Sequence, residues 1–390
     1  MEWEMVKLGE VCDRVCSGGT PNSRNSKYYD GGIPWLNTKE IDFGRIYSTE
    51  RTISQEGLEN SSAKWIDENS VIVAMYGATA GKVAVSKIRL TTNQACCNLH
   101  IDEKKADYNF VYDYLLDNFS ILASLANGGA QQNLNAQIIK DFLISLPPLD
   151  TQRRIATILS SLDDKIENNN RINRNLEAQA KALFKSWFVD FEPFGGTMPE
   201  DWREGLFVDL INIMPGGTPS TNVETYWKGG TIPFFSPKDV KGVYCFDTEK
   251  HITELGLNNC SSRLYEKDTL FITARGTVGK LALAGVPMAM NQSNYALVAK
   301  SGVGCHFLFL LAQTIIDILL KKANGAVFSA ITARDFKEPV IIPTTSTMIK
   351  FESIVSPLFE KIYQNCEESH RLAALRDTLL PKLMKGEIEV

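Results

Sequence analysis

A chain of 390 residues with 41 basic and 46 acidic side chains carries a net charge of −5, and 44% of it is apolar. That length exceeds one ordinary core, so two or three domains are expected. The acidic balance argues against nonspecific coating of nucleic acid, but not against local basic patches, since phosphate contacts need only a few well-placed Lys and Arg. No apolar run reaches the roughly 18 residues of a membrane span. The acidic, mixed opening MEWEMVKLGE does not read as a signal peptide. A cytoplasmic protein without membrane contact is expected. The cysteines at 12, 16, 96, 97, 245, 260, 305 and 366 are scattered, with no paired zinc-ligand spacing, and histidines number only four. Reduced thiols and no metal follow.

In chain order, SGGTPNSRNSKYYDGGIPW, from Ser17, is turn-rich. Ser70–Met75 reads as a strand and runs into MYGATAGK, residues 75–82. That phrase imitates a phosphate-binding loop but fails its spacing: three residues rather than four separate Gly77 from Gly81, and Val83 follows Lys82 where Ser or Thr is needed. Phe110–Ala126 is long and apolar enough for a helix. From Ile155 onward, Ile158, Leu159, Leu162, Ile166, Leu176, Leu183 and Phe184 recur mostly at three, four and seven, the mark of a long amphipathic helix of the coiled-coil kind. Its middle, ENNNRINRN, is polar and is expected to weaken the seam. PFGGTMPED, Pro193–Asp201, reads as a linker.

The chain then repeats itself at an offset near 198 residues. Trp3 answers to Trp202, the Ser17 stretch to PGGTPSTNVETYWKGGTIPF from Pro215, Lys39 to Lys238, and Gly57-Leu58 to Gly256-Leu257. MYGATAGK returns as TARGTVGK at 273–280 after a strand at Thr269–Thr273. Asn93-Gln94 returns as Asn291-Gln292, ANGGA as ANGA, and KDFLISLP as RDFKEPVIIP. His306–Ala323 repeats the apolar helix, and Phe351, Val355, Leu358, Ile362, Leu372 and Leu379 repeat the long one. Pro357 is expected to start or kink that helix nearby. About 37 residues at roughly 1.5 Å each make a rod of about 55 Å, whose narrow apolar stripe is best buried against its counterpart. The organisation is α+β: two similar mixed α/β domains at 1–148 and 193–343, the second including the linker, with long helices at 149–192 and 344–390.

No dinucleotide fingerprint, nucleophile elbow or H-E-x-x-H is present, nor the NPPY-type loop of amino-methyltransferases, and Asp163-Asp164 fits a solvated helix face. No catalytic set is assigned. The copies share turn residues, Lys, Asn and Gln: Lys39 and Lys238, Lys82 and Lys280, Asn93-Gln94 and Asn291-Gln292. Asn and Gln can read adenine, and Lys and Arg can read guanine or hold phosphate. The Asn-Gln pairs serve equally well as turn formers, and both readings stand at this point. Tyr28-Tyr29 and Tyr226-Trp227 are expected to pack beneath their loops. Residues shared by the copies should be scaffold or phosphate contacts, and residues that differ should read different bases. Setting Tyr76 against Ala274, Gly77 against Arg275, and NGGAQQNLNAQ against NGAVFSAITAR makes Arg275, Gln131, Gln132, Asn133 and Arg334 candidate base contacts.

GGTPS…YWKGGTIPFFSPKDV, RGTVGK, NQS and SLPPLDTQRRIATILSSLDDKI together resemble the specificity subunit of type I restriction-modification systems, over essentially the whole chain. The resemblance implies two target-recognition domains, each reading one half of a split double-stranded DNA site, separated by two antiparallel helices that set the gap. It implies a noncatalytic chain that docks two methyltransferase subunits, and restriction subunits through them. S-adenosylmethionine, ATP and Mg²⁺ would then belong to those partners and no cofactor to this chain. The helix positions Ile155, Leu159, Leu162, Ile166, Leu358 and Ile362 are the expected docking residues. After the second copy, PTTSTMIKF keeps only Pro343 and the apolar positions of PPLDTQRRI. A stand-alone methyltransferase or nuclease with an unrecognised active site is the alternative.

Overall fold

The computed structural model describes residues 3–126, 133–322 and 330–390. The chain forms two compact units, the first made of Met1–Asp164 with Leu372–Val390 and the second of Lys165–Arg371.

In the first unit, strand Glu4–Lys7 pairs antiparallel with Leu143–Leu146, Glu4 opposite Leu146, so the two ends of the domain are tied together. A five-stranded sheet follows in the order Cys12–Ser17, Cys96–Ile101, Val71–Ala74, Val83–Ser86, Arg45–Ile46. Only its last pair is parallel. Val71–Ala74 (VIVA) and Val83–Ser86 (VAVS) are buried throughout, because each sheet face is covered. Val71, Val73, Val83 and Val85 face a core with Phe110, Val111 and Leu115 of helix Tyr108–Asp117. Ile72, Ala74 and Ala84 pack with Leu36, Ile66 and Leu90 of a second, four-stranded sheet. The helix expected over Phe110–Ala126 is instead two, Tyr108–Asp117 and Phe119–Ser124, parted at Asn118. Its side-chain amide donates to Tyr114 O (2.9 Å) and so caps the first.

The second unit repeats this plan. Arg203–Leu206 pairs with Pro339–Ile342, and a five-stranded sheet has the matching order Ile211–Pro215, Asn294–Ala299, Leu270–Thr273, Leu281–Ala284, Tyr244–Cys245, again with one parallel pair at the end. One helix, Cys305–Lys322, covers it. The stretch read as a linker is pinned, Phe194 lying 5.7 Å from Trp187 and 5.0 Å from Trp202.

The long helices are Leu149–Phe188 and Thr345–Met384, each of 40 residues. In the first unit, Ile155, Ala156 and Leu159 share a core with Leu380, Leu383 and Met384, while Asp163 accepts from Arg376 (2.7 Å). In the second, Phe184 and Trp187 pack on Phe351 (6.0 and 5.5 Å), and Asn173 accepts from Asn365. Both sets of contacts run antiparallel, as expected. The helices begin at 149 and 345, against the expected 149 and 344, and the division into compact units falls inside each, after Asp164 and after Arg371.

Two expectations about these helices need correction. Pro357 does not start the second helix, which begins at Thr345 and continues through it. Pro357 and Ser353, whose carbonyl loses its partner there, both lie on the exposed face, while Val355 and Phe359 are wholly buried. The orphaned carbonyl belongs to a solvent-facing residue, where water can satisfy it, and packing holds the helix. The polar middle, likewise, is not simply a weak seam. Asn169, Asn173 and Asn365 are buried. Asn169 donates to Glu368 (2.8 Å) and Ser369 (3.2 Å), Asn365 to Asn173 (2.8 Å), and Asn173 to Cys366 Sγ (3.3 Å). A buried amide set of this kind fixes the register of facing helices at some cost in stability.

Candidate nucleic-acid interface

Each GGT phrase makes a close approach that only glycine permits. A Cβ on Gly18 would lie 2.1 Å from Thr92 O, and one on Gly216 would lie 2.0 Å from Asn291 O. The loop is thereby pressed against the Asn-Gln turn. Two residues further on, Thr20 donates its hydroxyl to Gln94 Oε1, and Thr218 does the same to Gln292 Oε1. Gln94 and Gln292 are exposed, and their amide nitrogens donate to no partner among the described residues.

The asparagines beside them serve the turn. Asn93 Oδ1 accepts from Ala95 N (3.1 Å) and Cys96 Sγ (3.2 Å), and Asn291 Oδ1 from Ser293 N (3.0 Å) and Asn294 Nδ2 (2.7 Å). Of the two readings for these residues, the turn accounts for both asparagines. Lys39 and Lys238 occupy equivalent short helical turns and pair with Glu50 (2.5 Å) and Glu249 (3.7 Å). The bond to Glu50 raises the Lys39 ammonium above its ordinary range, so it stays charged. The aromatic pairs pack as expected: Tyr29 is buried with its hydroxyl on Pro21 O (2.7 Å), and Trp227 donates to Ser220 O (3.0 Å). Each carries a cation on its ring, Arg51 at 4.4 Å from Tyr29 and Lys250 at 5.8 Å from Trp227.

In the second unit these groups enclose a cleft of about 510 Å³, lined among others by Thr218, Trp227, Lys238, Lys250, Arg275 and Gln292. It is concave, cationic and rich in donors. Four of the residues singled out in the sequence meet there: Lys238, Arg275, Asn291 and Gln292.

The glycine-lysine loop aligns differently from the sequence reading. Met75 O accepts from Leu134 N (2.8 Å), and Ala274 O from Ile331 N (2.9 Å). Tyr76 forms a β-bridge with Asn133, and Arg275 forms one with Ala330. Gly77 (φ +70°) and Gly276 (φ +80°) then share a left-handed conformation, as do Gly81 (+86°) and Gly279 (+83°). Arg275 therefore answers to Tyr76, not to Gly77, and Ala274 answers to Met75. The second loop is one residue shorter between its glycines, and alignment on Gly-Lys hid the shift.

Other expected residues lie elsewhere. Lys82 is held by Asp42 (2.5 Å) beside the ring of Phe43, and its match Lys280 is exposed and does not line the cleft. Arg334 is exposed in the turn before Pro339–Ile342 and is likewise outside it. Gln131 and Gln132 lie outside the described residues. Ile155, Leu159 and Ile362 are wholly buried in their own units, Leu358 is packed against the second core, and Leu162 and Ile166 are half-buried. As a surface for another subunit the three buried residues are excluded, because they already complete cores. Residues that the sequence reading missed are Thr20, Thr218, Arg51 and Lys250. Their signal was there in the duplication itself, through the threonine of GGT and a cation 199 positions apart.

Burial pushes the Cys12, Cys97, Cys245 and Cys305 thiols up to about 12, so none is a nucleophile near neutral pH. Among the described residues one set of possible metal donors converges, Cys305, His306 and Glu352, with ligand atoms within 4.8 Å of one another. Its carboxylate is engaged: Glu352 accepts from the backbone N–H of His306 (3.2 Å) and Phe307 (3.0 Å) and pairs with His306 Nδ1 (2.8 Å).

The profile of the type I restriction modification DNA specificity domain matches residues 1–178 and 199–362, once per repeat. The chain belongs to this family. This specificity protein is 29% identical to the type I restriction enzyme MjaIX specificity subunit of Methanocaldococcus jannaschii, with all of the chain and 94% of that protein covered. It is 27% identical to the HindI specificity subunit of Haemophilus influenzae, over 69% of the chain and 74% of that protein. Its fold is that of the type I restriction-modification S subunit from M. genitalium, at a TM-score of 0.60 and 19% identity, with 98% and 96% of the two chains covered. It is a DNA-recognition specificity subunit. Among the described residues no helix is long and apolar enough to cross a membrane.

Proposed function

We propose that each domain reads one half of a split DNA site, and that the paired long helices set the unread gap between the halves. The observation that carries this reading is the duplicated surface: the same glycine approach, threonine–glutamine clamp and cation over an aromatic ring occur in both domains, with different residues at the bridge beside them. Two similar readers joined by helices give a bipartite site whose gap is geometric, as half-site spacing is in dimers. The chain itself is noncatalytic in this reading, and acts from the cytoplasm with methyltransferase subunits and, through them, restriction subunits. Those partners would carry S-adenosylmethionine, ATP and Mg²⁺. Exposed apolar side chains on the second long helix, Ile349, Ile354 and Leu375, replace the buried positions as candidates for subunit docking.

Co-expression with a type I methyltransferase subunit that assembles with the chain, followed by genome-wide mapping of methylated bases, tests this reading. A two-part motif with a constant gap is expected. A continuous motif, or none with the complex assembled, refutes it. Methylation or cleavage by the purified chain alone, with S-adenosylmethionine or Mg²⁺, would support the stand-alone enzyme instead.

A further inference from the structure

On the reading just given, the surface still leaves open which groups discriminate bases and which only hold DNA. The threonine–glutamine clamp bears on this. A glutamine reads adenine by accepting from N6 and donating to N7 at once. In both domains one lone pair of that oxygen is taken, by Thr20 on Gln94 and by Thr218 on Gln292, and the amide is held in one orientation. The N–H donors therefore have a fixed direction, identical in the two copies. A group identical in two readers suits the feature common to every half-site, a phosphate oxygen, which carries no sequence information.

The bridge beside the clamp has the opposite character. Its two positions are equivalent in backbone and different in chemistry, Tyr76 with Asn133 in the first domain and Arg275 with Ala330 in the second. Tyr76 is 44% exposed, and Arg275 is exposed at the cleft that holds Lys238, Lys250 and Gln292. The carboxylate lining that cleft, Glu249, pairs with Lys238, and Arg275 has no ion pair among the described residues. An unpaired guanidinium beside phosphate-binding cations is placed to fork onto guanine O6 and N7, and the small Ala330 leaves it room. In the other domain the carboxamide of Asn133, which has no hydrogen bond among the described residues, carries the donor and the acceptor that an adenine edge requires, beside a ring that can cover a neighbouring base.

We propose that this bridge is a two-residue reading couple: Arg275 with Ala330 specifies a guanine in the half-site of the second domain, Asn133 with Tyr76 specifies an adenine in that of the first, and Gln94 and Gln292 clamp phosphate in both. The test is selection from a pool of randomised duplexes by the complex of full-length chain and methyltransferase, scored position by position. Arg275→Ala should lower discrimination about 10- to 100-fold at one guanine of one half-site and leave the other half unchanged. Asn133→Ala should do the same at one adenine of the opposite half. Gln94→Ala and Gln292→Ala should weaken all sequences alike. Exchanging Tyr76→Arg together with Asn133→Ala should bring a guanine preference into the first half-site. If wild type selects no two-part motif, the function proposed above fails. If wild type does and Arg275→Ala keeps its guanine, or blurs both halves equally, the reading couple is wrong while that function stands.

Discussion

Replacing Glu352 would remove a cap that one helix borrows from another. Its carboxylate, on a side chain only 19% exposed, accepts the first N–H groups of helix Cys305–Lys322 and pairs with His306 Nδ1 at 2.8 Å. His306 is 8% exposed and Phe307 1%, so the freed amides cannot turn to water. Each buried unpaired donor costs about 1–3 kcal/mol, so Glu352→Ala should cost about 3–5 kcal/mol in all. At about 2–4 °C per kcal/mol, the second unit should melt roughly 6–20 °C lower by calorimetry. Glu352→Gln keeps an acceptor and should cost about 1–2 kcal/mol. The pH dependence separates charge from shape. Burial works to raise the Glu352 carboxyl, but the hydrogen bond and charge of His306 and the two amides outweigh it and hold the group below its ordinary 4.5. A depressed folded value means that the unfolded chain binds the proton first. The stabilisation is then complete above about pH 4.5 and is lost as pH falls through the depressed value. Glu352→Gln should flatten that acid limb. A loss under about 1 kcal/mol for Glu352→Ala, or an unchanged acid limb for Glu352→Gln, would refute the capping argument.

Asp113 should behave in the opposite sense: burial, aided by Asp163, raises its carboxyl well above the ordinary value. The folded chain then holds that proton longer, so stability falls as pH rises from the ordinary carboxylate value toward the raised one, and Asp113→Asn should abolish that fall in urea titrations run across a pH series. Arg376→Met strands the half-buried Asp163 and should cost the first unit about 1.5–3 kcal/mol by denaturant titration, an unchanged midpoint counting against the pair. Asn365→Leu leaves Asn173 Oδ1 without its donor and should cost about 1–3 kcal/mol in the same assay. Lys250→Ala should reduce the slope of log affinity against log salt by about 0.9 without altering the selected motif, and a changed motif would make it a reader.

The duplicated domains and both long helices were legible in the sequence, because apolar periodicity and register survive substitution over long stretches. The exact pairing of the loops was not. Between Gly77 and Gly81 lie three residues and between Gly276 and Gly279 two, and only backbone conformation shows which glycines correspond. Pro357 misled because propensity is local while burial is not: the ring sits on the wet side of a helix held by Val355 and Phe359. The asparagines of ENNNRINRN read only as a weak point in the seam, since a polar residue that finds a partner from a segment nearly two hundred positions away leaves no local sign. A shorter separation, 46 and 45 positions, was enough to hide the cap of Glu352 on His306 and Phe307.

The makeup of the first unit has a consequence for how the protein is made. Leu380, Leu383 and Met384 complete the core that holds Ile155 and Leu159, and a Cβ on Gly386 would lie 3.0 Å from the ring of Trp3. On the ribosome, residues 1–164 must therefore wait, with their apolar helix face uncovered, until residues 372–390 emerge. Lys165–Arg371, contiguous in the chain, is under no such constraint. The order of completion is then the reverse of the order of synthesis, and the nascent first domain is the one that a chaperone would need to shield.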